Sequence, residues 1–319
     1  MATYLVTGGA GFIGSHLVEA LVNRGERVRV LDNLSEGKME NVASVIDRIE
    51  FMRADVRDPE AVRAAVEGVD YVLHQAALRS VPRSVDDPLS TNDVNITGTL
   101  HLLRAAHQAG VKRVVCASSS SVYGGSGEAQ QSESQLPAPL SPYAVSKIAD
   151  EYYCAVFTRT YGLETVSLRY FNVFGPRQDP ASEYAAVIPR FILAALNDEP
   201  LEIHGDGLQS RDFTYVDNVV EFNLLAATAP DIAGEVFNVG CGQSYQVLEI
   251  KTYLEKILGR SLKFYHAPPR KGDARYTCAD MSKARRLLGY EPKIPFEDGL
   301  RRTLAYFQQE MRRGTGSTS

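Results

Sequence analysis

The 319-residue sequence predicts an α/β fold, in which a doubly wound parallel sheet carries a smaller, interleaved C-terminal lobe. Three observations lead to this class. Strand-like and helix-like segments alternate through the first half of the chain. Residues 113–117 form a continuous apolar run, as found at the centre of a parallel sheet. A glycine-rich turn joins the first strand to the first helix.

The individual elements are predicted from apolar runs, helical patterns and glycine stops. Strands are expected over residues 3–6, 27–31, 51–54, 71–74, 113–117 and 164–168, and helices over residues 15–24, 59–67, 92–108 and 144–160. After Tyr170, prolines and glycines interrupt the alternation. We therefore expect residues 1–171 to form the sheet domain, with a segment near 213–240 returning to it through an apolar run at 235–239. Residues 172–312 should form most of the second lobe, and residues 313–319 a disordered tail.

The segment from Thr7 to Gly14 is a candidate phosphate-binding turn. Its glycines at 8, 11 and 14 allow a tight turn and close approach of the backbone to a pyrophosphate, which the following helix N-terminus would face. The next predicted strand ends at Asp32, where a carboxylate can accept hydrogen bonds from a ribose diol and would repel a 2′-phosphate. The pattern predicts a Rossmann-like dinucleotide site that prefers NAD to NADP.

Tyr143 and Lys147 are the candidate catalytic pair. They lie four residues apart in a predicted helix, which places them on one face. A cation held beside the phenol favours the phenolate, which can then act as a general base near neutral pH.

Composition describes an ordinary globular protein, with 44% hydrophobic and 23% charged residues. A net charge of −5 argues against a nucleic-acid surface. The four cysteines are far apart and have no metal-binding spacing, so no metal site is expected. Neither a membrane span nor a signal peptide is evident, and we expect a soluble cytoplasmic protein without a membrane partner.

Several motifs together resemble the extended short-chain dehydrogenases/reductases, and among these the nucleotide-sugar 4-epimerases, most closely bacterial UDP-N-acetylglucosamine and UDP-glucose 4-epimerases. The motifs are the glycine-rich turn, residues 74–77 (His-Gln-Ala-Ala), 80–84, 95–99, 122–124, 168–180, 205–207 and 210–213 (Ser-Arg-Asp-Phe). The resemblance implies that Tyr143 is the catalytic base, Lys147 its cationic partner, and Ser119 the catalytic hydroxyl. It also implies a homodimer formed through paired helices, for which 92–108 and 144–160 are the candidates.

The resemblance further implies two sets of binding residues. The NAD groove would contain Gly8, Gly11, Phe12, Ile13, Gly14, Asp32, Asn33, Ser35, Asp55, Val56, Gln75, Ala76, Ala77, Arg79, Asn95, Ser118, Tyr143, Lys147 and Tyr170. The UDP-sugar site would contain Ser119, Ser120, Ser121, Tyr143, Asn172, Val187, His204, Arg211, Arg270, Asp273 and Thr277. His204 departs from the aromatic residue often found at its place, and it could either stack on uracil or pack at the rim.

The resemblance leaves the substrate open. Dehydratases of the family carry an Asp-Glu pair where Ser120 and Ser121 stand, so dehydration is not expected. UDP-glucuronate 4-epimerases and decarboxylases share Tyr143 and Lys147, but the former usually carry Thr where Ser119 and Asn172 stand. A small residue at the gatekeeper position, Thr277, resembles the enzymes that admit an N-acetyl group. A net oxidoreductase and a non-catalytic NAD sensor are the further alternatives.

Overall fold

The protein, represented by a computed structural model, is described over residues 1–124, 128, 130–180, 186–269 and 275–316, with side chains as far as Arg313. The first half alternates strands and helices. Its strands are β1 (Thr3–Thr7), β2 (Arg27–Leu31), β3 (Glu50–Met52), β4 (Tyr71–His74), β5 (Arg113–Ser119) and β6 (Glu164–Tyr170). Its helices are α1 (Phe12–Asn23), α2 (Pro59–Val66), α3 (Val81–Asp86), α4 (Pro88–Asn92), α5 (Gly98–Gln108) and α6 (Pro142–Val156).

The remaining elements are shorter and more irregular. The strands are β7 (Val173–Phe174), β8 (Leu201–His204), β9 (Ser210–Asp212), β10 (Thr214–Tyr215), β11 (Val236–Val239), β12 (Ser244–Gln246) and β13 (Phe264–Ala267). The helices are α7 (Val187–Leu196), α8 (Val216–Thr228), α9 (Val247–Leu258), α10 (Ser282–Leu288) and α11 (Phe296–Gly316). Two 3-10 segments (Met39–Arg48, Ser120–Tyr123) and two π segments (Asp93–Thr97, Phe157–Tyr161) complete the described structure.

A seven-stranded parallel sheet forms the centre, in the order β11-β6-β5-β4-β1-β2-β3. This is the Rossmann-like α/β fold that the sequence predicts. β2 and β3 are added on one side of β1, and β4, β5 and β6 on the other, so the strand order reverses between β1 and β4. Such a switch point opens a crevice at the carboxyl ends of the strands. The apolar run near residue 237 becomes β11, which pairs with β6 along the edge.

Helices cover both faces of the sheet because alternate strand residues point to opposite sides. On one face Val6 packs in a core with Leu17 of α1 and Val219 of α8. On the other face Leu5 packs with Leu102 of α5. That second core also includes residues of α2 and α6. The two cores hold the strand ends in place, and with them the crevice.

Segments after residue 172 form three two-stranded sheets beside this crevice. β10 pairs with β7 and β13 with β8 in parallel, while β12 pairs with β9 in antiparallel fashion. The last helix, α11, runs to Gly316 and so extends into the segment that was expected to be disordered from residue 313. Residues 317–319 lie outside the described residues. None of the described helices has both the length and the apolarity needed to cross a bilayer.

Candidate active site

The glycine-rich turn is folded as its spacing predicts. The Gly8 N–H donates to the Leu31 carbonyl at 2.8 Å, and the Gly11 N–H donates to the Gly8 carbonyl at 3.0 Å. A Cβ at Gly14 would lie 2.1 Å from the Gly8 carbonyl oxygen, so only glycine permits this approach of helix to strand. α1 begins directly after Gly11 without a side-chain cap, and its first residues line the crevice, where a helix N-terminus favours an anion.

Asp32 lies at the end of β2 and is 6% exposed. One carboxylate oxygen accepts the Ala10 N–H at 2.9 Å and the other accepts the Leu34 N–H at 2.8 Å. Burial raises the pKa of Asp32 above its ordinary value, and the N–H groups of Leu34 and Ala10 oppose that shift. The two backbone donors fix the carboxylate and leave it lone pairs with which to accept ribose hydroxyl groups.

A cleft of about 400 Å³ follows the carboxyl ends of the strands. It brings together nearly all of the residues that the resemblance assigned to the NAD groove. These are Gly8, Gly11, Phe12, Ile13, Gly14, Asp32, Asn33, Ser35, Asp55, Val56, Gln75, Ala76, Ala77, Arg79, Ser118, Tyr143, Lys147 and Tyr170.

Asn95 does not line this cleft but supports a residue that does. It is fully buried in the π segment. Its side-chain oxygen accepts the Leu78 N–H at 2.8 Å, and its amide donates to the Leu78 carbonyl and to the Ser146 hydroxyl. Leu78 does line the cleft, so Asn95 shapes the groove through a neighbour.

Tyr143 and Lys147 lie in the first two turns of α6. Ser141 caps the helix by accepting the Ala144 N–H, and Pro142 occupies its first turn, which explains why α6 begins before residue 144. The Tyr143 N–H donates to the Ser84 hydroxyl at 3.1 Å. Both side chains line the cleft, with Tyr143 half-buried and Lys147 buried. The pair is therefore positioned as its spacing predicts.

The charge of Lys147 is maintained by a buried carboxylate. Burial alone would lower the pKa of Lys147, but Asp150 raises it above its ordinary value. The Lys147 ammonium and the Asp150 carboxylate lie 3.1 Å apart. Burial lowers the pKa of the nearby His74 to about 3, and Lys147 adds to that shift, so this imidazole is neutral.

The serines at the end of β5 have different surroundings. The Ser118 hydroxyl is buried and donates its proton to Glu151, so this proton is not available to a ligand. The Ser119 oxygen accepts the Ser121 N–H at 3.1 Å, which leaves the Ser119 proton to donate elsewhere. The Ser121 hydroxyl is buried without a hydrogen-bond partner among the described residues.

Tyr170 is the other phenol in the cleft. Its hydroxyl contacts Gln75 at 3.2 Å and Asn223 at 3.0 Å. Burial raises the pKa of Tyr170 far above its ordinary value, so it stays neutral. Of the two phenols that line this cleft, Tyr143 remains the candidate base.

A second cavity of about 190 Å³ lies between β8, β9 and α7. Four of the residues expected at the UDP-sugar site line it, namely Asn172, Val187, His204 and Arg211. Asn172 lies two residues after Tyr170, so one short segment joins the cavity to the cleft. Arg270 and Asp273 lie outside the described residues.

Sequence reasoning missed the charged pair in this cavity. Arg190 of α7 forms an ion pair with Glu202 of β8. Burial would raise the pKa of Glu202, but Arg190 and His204 lower it below its ordinary value. The spacing could have placed each residue on the cavity side of its own element, because Arg190 is one helical turn after Val187 and Glu202 lies two strand positions before His204.

His204 is fixed at one nitrogen. Its Nδ1 lies 3.0 Å from the Pro268 carbonyl, which can only accept, so Nδ1 carries a proton. Its Nε2 is 3.4 Å from the Glu202 carboxylate. The imidazole therefore lines the cavity in a fixed orientation.

The comparisons with known proteins agree with this geometry. The sequence profile of the NAD dependent epimerase/dehydratase family matches residues 4–240. A UDP-glucose 4-epimerase from Mycolicibacterium smegmatis is 39% identical over 96% of this chain and 98% of its own length. A UDP-glucuronate 4-epimerase from Thermodesulfobacterium geofontis is 35% identical, with 98% of each chain covered.

A solved structure is equally similar. The UDP-N-acetylglucosamine 4-epimerase from Methanobrevibacter ruminantium M1, in complex with UDP-N-acetylmuramic acid, superposes with a TM-score of 0.93 at 41% identity. The match covers 97% of this chain and 99% of that one. The glycine-rich turn, Asp32 and the Tyr143–Lys147 pair thus occur in a chain that is similar to known epimerases over nearly its whole length. The protein belongs to the NAD-dependent epimerase/dehydratase family.

Proposed function

We propose that the protein is an NAD-dependent 4-epimerase of UDP-hexoses, which interconverts UDP-GlcNAc and UDP-GalNAc and also accepts UDP-glucose and UDP-galactose. The observation that carries the proposal is the junction of two sites. Tyr143 and Lys147 line the cofactor cleft, and the segment from Tyr170 to Asn172 leads from it into a cavity that contains Arg211. A guanidinium there suits a diphosphate.

The cleft fits NAD on two structural grounds. Gly8, Gly11 and Gly14 line the cleft, and the close packing of Gly14 against Gly8, which any Cβ at Gly14 would disrupt, keeps the start of α1 beside the place of a pyrophosphate. The Asp32 carboxylate is held by backbone donors at the place where a ribose diol would lie. The glycine turn would hold the pyrophosphate, Asp32 the adenosine ribose, and Lys147 the nicotinamide ribose. NAD, when bound, supplies a hydride acceptor that can return the hydride.

The chain's own residues supply the proton chemistry. Tyr143, as the phenolate stabilised by Lys147, takes the proton of the sugar C4 hydroxyl while the C4 hydride leaves. Ser119 donates its free O–H proton to the same sugar oxygen and orients it. The uridine diphosphate stays in the cavity, and the 4-keto sugar turns about the pyrophosphate to present its other face. Tyr143 then returns the proton.

The serine run and residue 277 support this choice of reaction and substrate. Ser120 and Ser121 are hydroxyls and cannot replace the acid–base pair that a dehydration needs. Thr277 is small and contacts Asn172, which lines the cavity, so it would admit an N-acetyl group there. UDP-glucuronate 4-epimerisation or decarboxylation is the second candidate, since the similar UDP-glucuronate 4-epimerase covers 98% of this chain.

The proposal includes a homodimer through α6. Val145, Tyr152 and Val156 are exposed and lie seven and four residues apart, which forms one apolar stripe on this helix. Tyr161, just beyond it, is also exposed. Light scattering should give twice the chain mass, and Val156→Asp should give a monomer. A monomeric wild-type protein would contradict this part of the proposal.

The reaction is tested by incubating the protein separately with UDP-GlcNAc, UDP-glucose and UDP-glucuronate, and resolving the C4 isomers by NMR. We expect the first two to be epimerised. Conversion of UDP-glucuronate alone would favour the second candidate. Absorbance that grows at the reduced nicotinamide band with excess NAD would indicate a net oxidoreductase. Tyr143→Phe should abolish turnover while NAD still binds, and retained turnover would refute the base assignment.

A further inference from the structure

Asp150 is a buried carboxylate for which the proposed chemistry has no role. It lies on α6 one turn after Lys147 and is fully buried, and one of its oxygens is 3.1 Å from the Lys147 ammonium. Its other oxygen has no hydrogen-bond partner among the described residues. Burial raises the pKa of Asp150 to about 6, so the group is ionised at neutral pH. The fold thus keeps an anion in its interior, where Lys147 and then Thr99 oppose the effect of burial on its pKa, and a buried anion is costly unless it is paired.

The groups around the pair supply no second anion. On β4, His74 bonds to Thr7 and Thr99 and is neutral. On β5, a hydrogen bond with the Cys154 thiol, and then burial, raise the pKa of Cys116 well above its ordinary value. On β6, Tyr170 is neutral.

The next residue of α6 carries a carboxylate that is already occupied. Glu151 accepts two hydrogen bonds from Arg169, at 2.9 and 2.7 Å. Among the described residues, Asp150 is accordingly the carboxylate that pairs with Lys147.

We propose that Asp150 is a positioning residue for catalysis: it is the counter-ion that keeps Lys147 cationic and directed along α6, so that Tyr143 can serve as the base. The inference rests on the proposed function. An isolated ammonium in a buried site loses its proton more readily, because burial disfavours the charged form. Breaking a buried pair by removing one partner is therefore costly to the partner that remains.

The direction of the expected pH shift follows from the interaction between Asp150 and Lys147. Without Asp150, burial favours the neutral amine of Lys147, and a neutral amine does not stabilise the Tyr143 phenolate at a given pH. The acid limb of the kcat–pH profile should then move to higher pH. The opposite shift would follow if Asp150 mainly screened the ammonium from Tyr143, which makes the direction informative.

The test compares the kcat–pH profiles of Asp150→Asn, Asp150→Ala and Asp150→Glu. We expect the acid limb of the Asn and Ala variants to move up by about one pH unit, equivalent to roughly tenfold lower kcat on that limb, with KM little changed. Asp150→Glu should restore the limb, since it keeps the charge. Asp298→Asn, at an exposed position on α11, makes the same charge change far from the site and should match the wild type.

Several outcomes would overturn the inference. A uniform loss of kcat with an unmoved limb would mean a purely structural role, and a limb moved to lower pH would mean that Asp150 screens the cation. If Asp150→Asn does not fold, Asp150→Ala must show the shift and Asp150→Glu must keep the limb in place. If neither neutral variant folds, a displaced limb in Asp150→Glu would still refute the proposal.

A second readout separates this inference from the proposed function. The tyrosinate absorbance of the NAD-bound protein is measured as a function of pH, with and without Tyr143→Phe, in the wild-type and the D150N backgrounds. The difference caused by Tyr143→Phe reports the ionisation of that one phenol and needs no turnover. A titration that moves to higher pH in D150N supports the inference even if no UDP-sugar is epimerised. Epimerisation by the wild type with no such movement would sink the inference alone.

Discussion

The Asn172 side-chain amide donates to the Thr277 hydroxyl across 3.4 Å. This contact joins the segment that follows β6 to a segment more than a hundred residues further along the chain. Asn172 has a positive φ of 25°, a conformation that asparagine tolerates better than most residues and that often marks functional sites. The two side chains are therefore held together beside the proposed sugar position.

Enlarging Thr277 should narrow the sugar site. We predict that Thr277→Tyr lowers kcat/KM for UDP-GlcNAc by about 100-fold, because the tyrosine ring would collide with the N-acetyl group. This factor corresponds to a loss of about 3 kcal/mol in binding free energy. UDP-glucose, which lacks the acetyl group, should keep its rate. Thr277→Ser is the matched control and should leave both substrates unaffected. If both substrates lose rate together in the tyrosine variant, Thr277 does not act as a gatekeeper.

Gly14 should be far less replaceable than Gly11. The Cβ of Gly14→Ala would lie 2.1 Å from the Gly8 oxygen, whereas that of Gly11→Ala would meet the same atom at 3.1 Å. Because the turn must open in the first case, NAD binding should weaken by about 100-fold, with a much smaller loss in the second. Calorimetric titration with NAD measures both. Equal losses would show that the close approach does not determine cofactor affinity.

Asp212 should be important for stability although it lies outside the described cavities. Its two oxygens accept the N–H groups of Cys241 and Gly242, each at 2.8 Å, and that of Ala279 at 3.1 Å. In Asp212→Asn an amide NH₂ replaces one acceptor, so at least one buried N–H loses its partner. We expect a loss of about 1–3 kcal/mol in the free energy of unfolding.

Chemical denaturation at neutral pH tests this prediction. Asp206→Asn removes a carboxylate whose ion pair with Arg275 is exposed, and it should leave the free energy of unfolding unchanged. A similar effect of the two variants would mean that the buried acceptor bonds of Asp212 contribute little. The Asp212 variant should also raise KM, since Ala279 is two residues from Thr277.

Much of the fold was predictable because the strands of a buried parallel sheet are short segments rich in apolar and β-branched residues. The runs at residues 27–31 and 71–74 match β2 and β4. The helix expected over 92–108 is instead α4, a π segment and α5, since one extra residue in a turn leaves no mark on apolar periodicity. Asn95, which does not line the cleft, lies buried in that π segment and accepts the Leu78 N–H.

The site was predictable where its residues are close in sequence. Tyr143 and Lys147, and the glycines before Asp32, form local patterns with a chemical meaning. Arg190 and Glu202 come from different elements and meet only in the folded chain, so no local pattern indicates their ion pair. The pairing of Lys147 with Asp150 is local, but its importance depends on burial, which a charged pair at helical spacing does not reveal.

The central claim is that one hydride leaves C4 of the sugar and returns to the same carbon. The most direct test supplies UDP-GlcNAc that carries deuterium at C4, with the protein and no added reductant, and measures the label in both C4 isomers by NMR and mass spectrometry. We predict UDP-GalNAc that retains the deuterium at C4. Loss of the label to solvent, or its appearance in free cofactor as the sugar is oxidised, would contradict it.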